Sequence, residues 1–194
     1  ILIGTDQGDF KYFSADLYRD ISEAKRVDLI RDGKKMSLTL PGDLNLLGML
    51  KAEPSFVRPL IPAVITSVMA DSPAASIGLV KDDKIVAFNG KTVDSYNEFT
   101  DQIGILEDMM TGAKTQADSL RIRTATIVVS RSDESGVTSE DTLAVTLTPD
   151  LKVGFYVKTI AGIYEPYTHE YGFFESIPAG IKYGWNVLAG YVND

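Results

Sequence analysis

The side chains in this chain that could carry out catalysis are few. There is one histidine, His169, and there is no cysteine. Without cysteine there is no thiol nucleophile, no disulfide framework and no thiolate metal site. A single imidazole cannot supply the two or three nitrogen ligands that zinc sites use. His169 lies in Glu165-Pro-Tyr-Thr-His-Glu170, a Pro- and Tyr-containing stretch that reads as a surface loop, and one histidine there supports no Ser/His/Asp triad. The acidic pairs Asp82-Asp83 and Glu107-Asp108 read as solvated turns and helix faces rather than as an acid/base pair. No catalytic residue, metal ligand or cofactor site is therefore expected in this chain.

A formal net charge of −8 and a pI near 4.7 argue against nucleic acid, since no Lys/Arg stripe is present to release phosphate counterions. With 194 residues, of which 44% are hydrophobic and 24% charged, the chain can bury a core and form one or two domains. No stretch approaches the roughly 18–20 apolar residues needed to cross a bilayer. Ile1-Leu-Ile-Gly-Thr5 reads as a strand with no signal peptide before it, so the chain is expected to be a piece cut from a longer protein at both ends.

The chain repeats itself. Shifted by 82 positions, Ile3 falls on Ile85, Gly8 on Gly90, Leu17 on Phe99 and Ile21 on Ile103. Further along, Val27–Gly33 matches Ile127–Asp133, Met36–Leu40 matches Leu143–Leu147, and Asp43-Leu44 matches Asp150-Leu151. Leu46-Leu-Gly-Met-Leu50 then matches Val153-Gly-Phe-Tyr-Val157. Ala63–Val68 and Ser72–Leu79 precede the repeating part of the second copy, and nothing equivalent precedes Ile1. The expected division is a front-truncated first unit over residues 1–53, a complete second unit over 54–160, and a tail over 161–194.

Within the second unit, the β-branched run Ala63–Val68 favours a strand. Asp71-Ser72-Pro73 supplies an N-cap and an early helical proline for a short helix ending at Gly78. Lys84–Phe88 returns as a strand into Asn89-Gly90, a tight-turn dipeptide. Asp94-Ser95 caps a second helix whose apolar face is Tyr96, Phe99, Ile103 and Leu106. Met109–Thr124 reads as an insertion loop. Ala125–Ser130 and Thr142–Leu147 read as strands joined by a hairpin tip over Arg131–Asp141, and Lys152–Thr159 as a last strand opened by Gly154. The sum is a small antiparallel α+β barrel. In the tail, Phe174, Ile177, Ile181, Trp185, Leu188 and Val192 recur at spacings of three and four, forming an apolar stripe on one helix. Trp185, Tyr183 and Tyr191 favour a boundary between water and an apolar phase.

The run from Val64 through Ser72-Pro-Ala-Ala75, Gly78-Leu79, Asp82-Asp83 and Ile85 to Asn89-Gly90 resembles the core of a PDZ domain, whose bacterial pattern is "V…SPA…GL..GD.I…NG". Asp82 stands where that pattern has glycine. The element order is similar to the circularly permuted bacterial form, in which the carboxylate-binding strand comes last. Here that strand would be Lys152–Val157, with Leu46–Leu50 as its first-copy counterpart. The tail Tyr171-Gly-Phe-Phe-Glu-Ser-Ile-Pro-Ala-Gly-Ile-Lys-Tyr-Gly-Trp-Asn-Val-Leu188 resembles the segment that follows the second PDZ domain in site-2-type membrane zinc proteases such as the regulator of sigma-E protease.

This resemblance implies a partly open PDZ barrel with two helices, a truncated PDZ unit before it and an amphipathic helix after it. It implies peptide binding by Val153, Gly154, Phe155 and Tyr156 on the strand side and by Tyr96, Phe99 and Ile103 on the helix side. Phe174, Ile177, Ile181, Trp185 and Leu188 would face a membrane surface. The partners would be C-terminal or extended segments of membrane-protein substrates, met on the periplasmic side of an inner membrane during regulated intramembrane proteolysis. Zinc and cleavage would belong to the parent protease, since neither its His-Glu-x-x-His motif nor its Asp-Gly ligand segment occurs here. The alternatives are the PDZ tail of an HtrA-like periplasmic serine protease and a free-standing peptide-binding scaffold.

Overall fold

The computed structural model describes every residue except Ala15, Asp32, Asp133, Glu134, Ser135, Tyr167, His169 and Asp194, and of Asn186, Val187 and residues 189–193 it describes the backbone only. The expectation for His169, and those for the Tyr191 and Val192 side chains, fall outside the described residues. Residues 1–164 form one compact unit and residues 165–194 another.

The compact unit begins with β1 (Leu2–Thr5), β2 (Gly8–Asp9), α1 (Leu17–Glu23), β3 (Arg26–Arg31) and β4 (Lys34–Thr39), followed by α2 (Leu46–Leu50). It continues with β5 (Ile65–Val68), α3 (Pro73–Ser76), β6 (Lys84–Phe88), β7 (Lys91–Thr92), α4 (Tyr96–Thr111), α5 (Gln116–Arg123), β8 (Thr124–Ser132) and β9 (Thr138–Thr146), and ends with β10 (Phe155–Val157) and α6 (Ile160–Ile163). The unit at the end of the chain is α7 (Phe173–Asn193), with Pro178 inside it.

Two four-stranded antiparallel sheets have the same order, β2-β1-β3-β4 and β7-β6-β8-β9. In each, the first strand carries a register shift against the third, between Leu2 and Gly4 in one and between Ile85 and Ala87 in the other. In each, a helix follows the first hairpin. Among the described residues a separate pair, β10-β5, accompanies the second sheet, joined to it by a bridge between Val64 and Lys84. Each sheet has its own core. Leu17, Ile21, Val27, Leu29 and Met49 form the smaller one, and a larger one is centred on Ile65, Ile85, Phe88, Ile127 and Leu147.

Local chemistry explains the turns. The Ser72 side chain accepts from Ala75 N to cap α3, with Pro73 in its first turn, and Gly78 closes it at φ +74°. Asn89 and Gly90 both have positive φ, as a tight hairpin of this hand requires. Asp82 itself adopts φ +71°, so it takes up the left-handed conformation that glycine holds in the bacterial pattern.

Several expectations need correction. Leu46–Leu50 is a helix and not a counterpart of β10. The Asn45 side chain caps it by accepting from Gly48 N, and Met49 is buried in the small core. Met109–Thr124 is mostly helical. The α4 helix continues to Thr111, and Thr115 and Asp118 form a capping box that starts α5. The β8–β9 hairpin is longer than expected, since its ladder runs out to Ser132 paired with Thr138, and β10 is shorter. Asp83 is not a solvated turn residue. Its side chain is 1% exposed and paired with Arg131 at 2.7 Å.

Candidate functional site

The residues expected to hold a peptide lie on β10, on the Val153-Gly154 bend just before it, and on α4, and the structure brings these elements together. Phe155 opens β10, and its ring centroid is 5.5 Å from that of Phe99 and 6.2 Å from that of Tyr96. Phe99 in turn meets Phe88 edge-on at 5.2 Å. Such aromatic pairs add about 0.5–1.5 kcal/mol each beyond the area they bury. Together they dock β10 against the first turns of α4. Burial also raises the Tyr96 hydroxyl above its usual pKa.

The side chains do not all play the same part. Those of Val153 and Phe99, each 4% exposed, belong to the large core and form a floor. Tyr96, Ile103 and Phe155 are half-buried, while Tyr156 is 55% exposed. A cavity of about 390 Å³, lined by Glu107, Met110, Thr111, Pro149, Asp150 and Leu151, lies at the C-terminal end of α4, away from the Phe155 contact.

Gly154 sets the shape of the chain entering β10. Its φ is +93°, a left-handed value that side chains disfavour. A Cβ built there would fall on the Ser72 Cβ and lie 2.8 Å from the Ser72 Oγ. The carbonyls on both sides of this bend are occupied. Ala74 N donates to Val153 O at 2.8 Å, and Met69 N donates to Gly154 O at 2.9 Å. The Ser72 hydroxyl donates to Met69 O at 2.6 Å, with Gly154 O at 3.2 Å as its alternative acceptor.

Antiparallel pairing alternates between bonded and non-bonded residue pairs. Met69 bonds Gly154, and the next pair along is Val68 with Phe155. The Phe155 N–H and C=O therefore point away from β5, out of the free edge of β10. That edge can accept an added strand, because β10 pairs on one side only.

Several residues that position the site escaped the reading of the sequence. On the helix side, Arg58 clamps Asp101 with two bonds of 3.0 and 2.7 Å, and the Asn97 amide bonds Pro59 O and Ile61 N. Arg58 and Asp101 lie 43 positions apart in the chain, and no local signal joins them. On the strand side, Thr66 Oγ1 donates to Tyr156 O at 3.1 Å. Ser72 was legible as a cap but not as the neighbour of Gly154.

The α7 residues Phe174, Ile177, Ile181, Trp185 and Leu188 are exposed by 84, 55, 70, 72 and 62%. No helix among the described residues is long and apolar enough to cross a membrane. Among the described residues no cluster of three or more His, Cys, Asp or Glu side chains could hold a metal ion.

The sequence pattern of the PDZ domain matches residues 64–101. The chain is also similar to a "probable periplasmic serine endoprotease DegP-like" of Chlamydia pneumoniae, with 36% identity over 83 residues. The match covers 40% of this chain and 16% of that relative's length. The matched segment contains β5, α3, β6, β7 and the start of α4, the elements that carry Ser72, Tyr96 and Phe99. A PDZ domain is thus present in this chain, matched over residues 64–101.

Proposed function

We propose that this chain is the extracytoplasmic PDZ region of a membrane-embedded zinc protease of the site-2 type, where it recognises or excludes substrate segments during regulated intramembrane proteolysis. The observation that carries the peptide-binding part is the one-sided β10 edge, bent at Gly154 and docked beside α4. An extended peptide adds to such an edge through main-chain hydrogen bonds, and side-chain contacts along α4 select it. The first sheet, with the strand order of the second, supports reading residues 1–53 as part of a preceding PDZ unit. The exposed apolar stripe of α7 supports a position at a membrane surface. In this reading zinc and the cleavage chemistry lie in parts of the protein outside this chain, which contributes no ligand to them.

The similarity to the DegP-like protease favours a second reading, the PDZ tail of an HtrA-like periplasmic serine protease. The coding sequence on either side separates the two. The first reading requires hydrophobic spans on both flanks, and the second a serine protease domain upstream.

Peptide binding is tested by titrating a fluorescein-labelled decapeptide ending in Val-Val-Val with a free carboxylate, and the same peptide amidated. Saturable binding of the free acid that weakens at least tenfold on amidation supports recognition of a new C-terminus. Equal binding of both supports strand addition without carboxylate recognition. If neither binds, the groove reading is lost and exclusion by size remains.

A further inference from the structure

Residues 57–61 run between the two cores and are gripped from both sides. On the first-unit side, the Tyr18 hydroxyl on α1 donates to Val57 O at 3.0 Å and accepts from Val57 N at 3.4 Å, and Val57 packs on the small core. On the second-unit side, Arg58 forks onto Asp101, Asn97 bonds Pro59 O and Ile61 N, and Tyr96 N donates to Ile61 O at 2.7 Å. The guanidinium of Arg58 is held above its usual pKa chiefly by its hydrogen bonds to Asp101.

We infer that residues 57–61 are a strap that makes the position of the groove helix α4 depend on the packing of the first unit. Asn97 and Asp101 are four residues apart and share one face of α4. Tyr96, Phe99 and Ile103 occupy a different face, and Phe155 packs against the first two of these. The strap and β10 thus hold the same helix from different sides. A bidentate Arg–carboxylate pair fixes orientation as well as distance, because its two parallel bonds admit little rotation. Three hydrogen bonds join α4 to the backbone of Pro59 and Ile61, two through the Asn97 side-chain amide and one from Tyr96 N, so a shift of the helix carries the strap with it. The strap is anchored at its far end to Tyr18, on the helix that takes in the first sheet the place α4 takes in the second. Arg58, Asn97 and Asp101 are therefore positioning residues for the groove, and Tyr18 is the input from the first unit.

The test measures amide hydrogen exchange in the full chain for Tyr18→Phe, Arg58→Gln and the double variant. Losing the Tyr18 hydroxyl, with its bond to Val57 O and the longer one from Val57 N, is expected to speed exchange in α4 by at least about fivefold, with β8 and β9 unchanged. Once Arg58→Gln has cut the strap, Tyr18→Phe is expected to add nothing further in α4. Unchanged α4 exchange in Tyr18→Phe overturns the inference, even where that variant unfolds the first unit. Equal acceleration in β8 and β9, or additive effects in the double variant, overturns it too. The exchange measurement stands without a ligand. Peptide affinity, which rests on the proposed groove, should fall severalfold alongside it. A chain that binds no peptide but shows the exchange pattern would remove the groove reading and keep the strap.

Discussion

Gly154 and Ser72 interlock. The glycine, at φ +93°, passes so close to the helix-capping serine that a Cβ at its position would meet the Ser72 side chain. Gly154→Ala is expected to lower stability by about 2–4 kcal/mol, combining left-handed strain with overpacking. Ser72→Gly alone should lose only a few tenths of a kcal/mol, since glycine is tolerated at an N-cap. Combined with Gly154→Ala, it should recover the steric part and leave the strain. Urea denaturation of the two single variants and the double variant measures this coupling. Strictly additive losses would show that the two residues do not meet.

Asp83 and Arg131 form the most buried ion pair described. The carboxylate is 1% exposed and accepts two bonds from Arg131 and one from Val80 N. Arg131 also donates to Asp141 and to Gly78 O, so it ties the turn before β6 to both strands of the hairpin. Arg131→Met leaves the buried carboxylate with a single backbone donor and should destabilise by about 3 kcal/mol. Asp83→Asn keeps an acceptor for Val80 N and should be milder. Thermal or urea unfolding orders the two variants, and an Asn variant worse than the Met variant would contradict this account.

Three carboxyls near the surface contribute to the response to acid. Asp28 ionises below its ordinary 3.8, first because Ser37 donates to it and then because Arg26 does. Asp6 is lowered chiefly by the Arg26 N–H, and Asp118 chiefly by the Thr115 hydroxyl. In the window beneath 3.8 the unfolded chain binds more protons than the folded one. The stability these groups give is therefore present above 3.8 and lost as pH falls through their folded values. NMR titration of the carboxyl carbons should give midpoints below 3.8 at all three positions. Midpoints at or above that value would remove the hydrogen bonds from the account.

The sequence announced what local chemistry controls. The cap at Ser72, the Asn89-Gly90 turn, the apolar face of α4 and the matching strands of the two sheets follow from residue type and spacing. Two kinds of feature stayed hidden. One is long-range pairing: nothing near Arg58 points to Asp101, and nothing near Asp83 names Arg131. The other is the state of a short apolar segment. Leu46–Leu50 matches Val153–Val157 in pattern, but a short apolar run reads equally as strand or helix until a neighbouring strand decides. Here the Asn45 cap and the burial of Met49 favour the helix. At the start of β10, Gly154 and Phe155 are legible as a bend and an apolar neighbour. That Val153 and Phe99 would sink into the core depended on packing across the whole domain.

The α7 stripe supplies a direct optical test, because Trp185 is the single tryptophan of the chain. Ile181 and Trp185 are four residues apart on one face and are 70% and 72% exposed. If that face meets lipid, adding phosphatidylethanolamine–phosphatidylglycerol vesicles should shift Trp185 emission to the blue as the indole leaves water. Ile181→Asp removes about 1.5–3 kcal/mol of apolar burial and adds a charge, so lipid affinity should fall tenfold or more. Lys182 and Glu175 balance each other among the described side chains of α7, so attraction to anionic lipid is small and the shift should hardly depend on salt. Emission unchanged at every lipid concentration would take the membrane contact away from α7, and a shift abolished by moderate salt would assign it to charge instead of the apolar stripe.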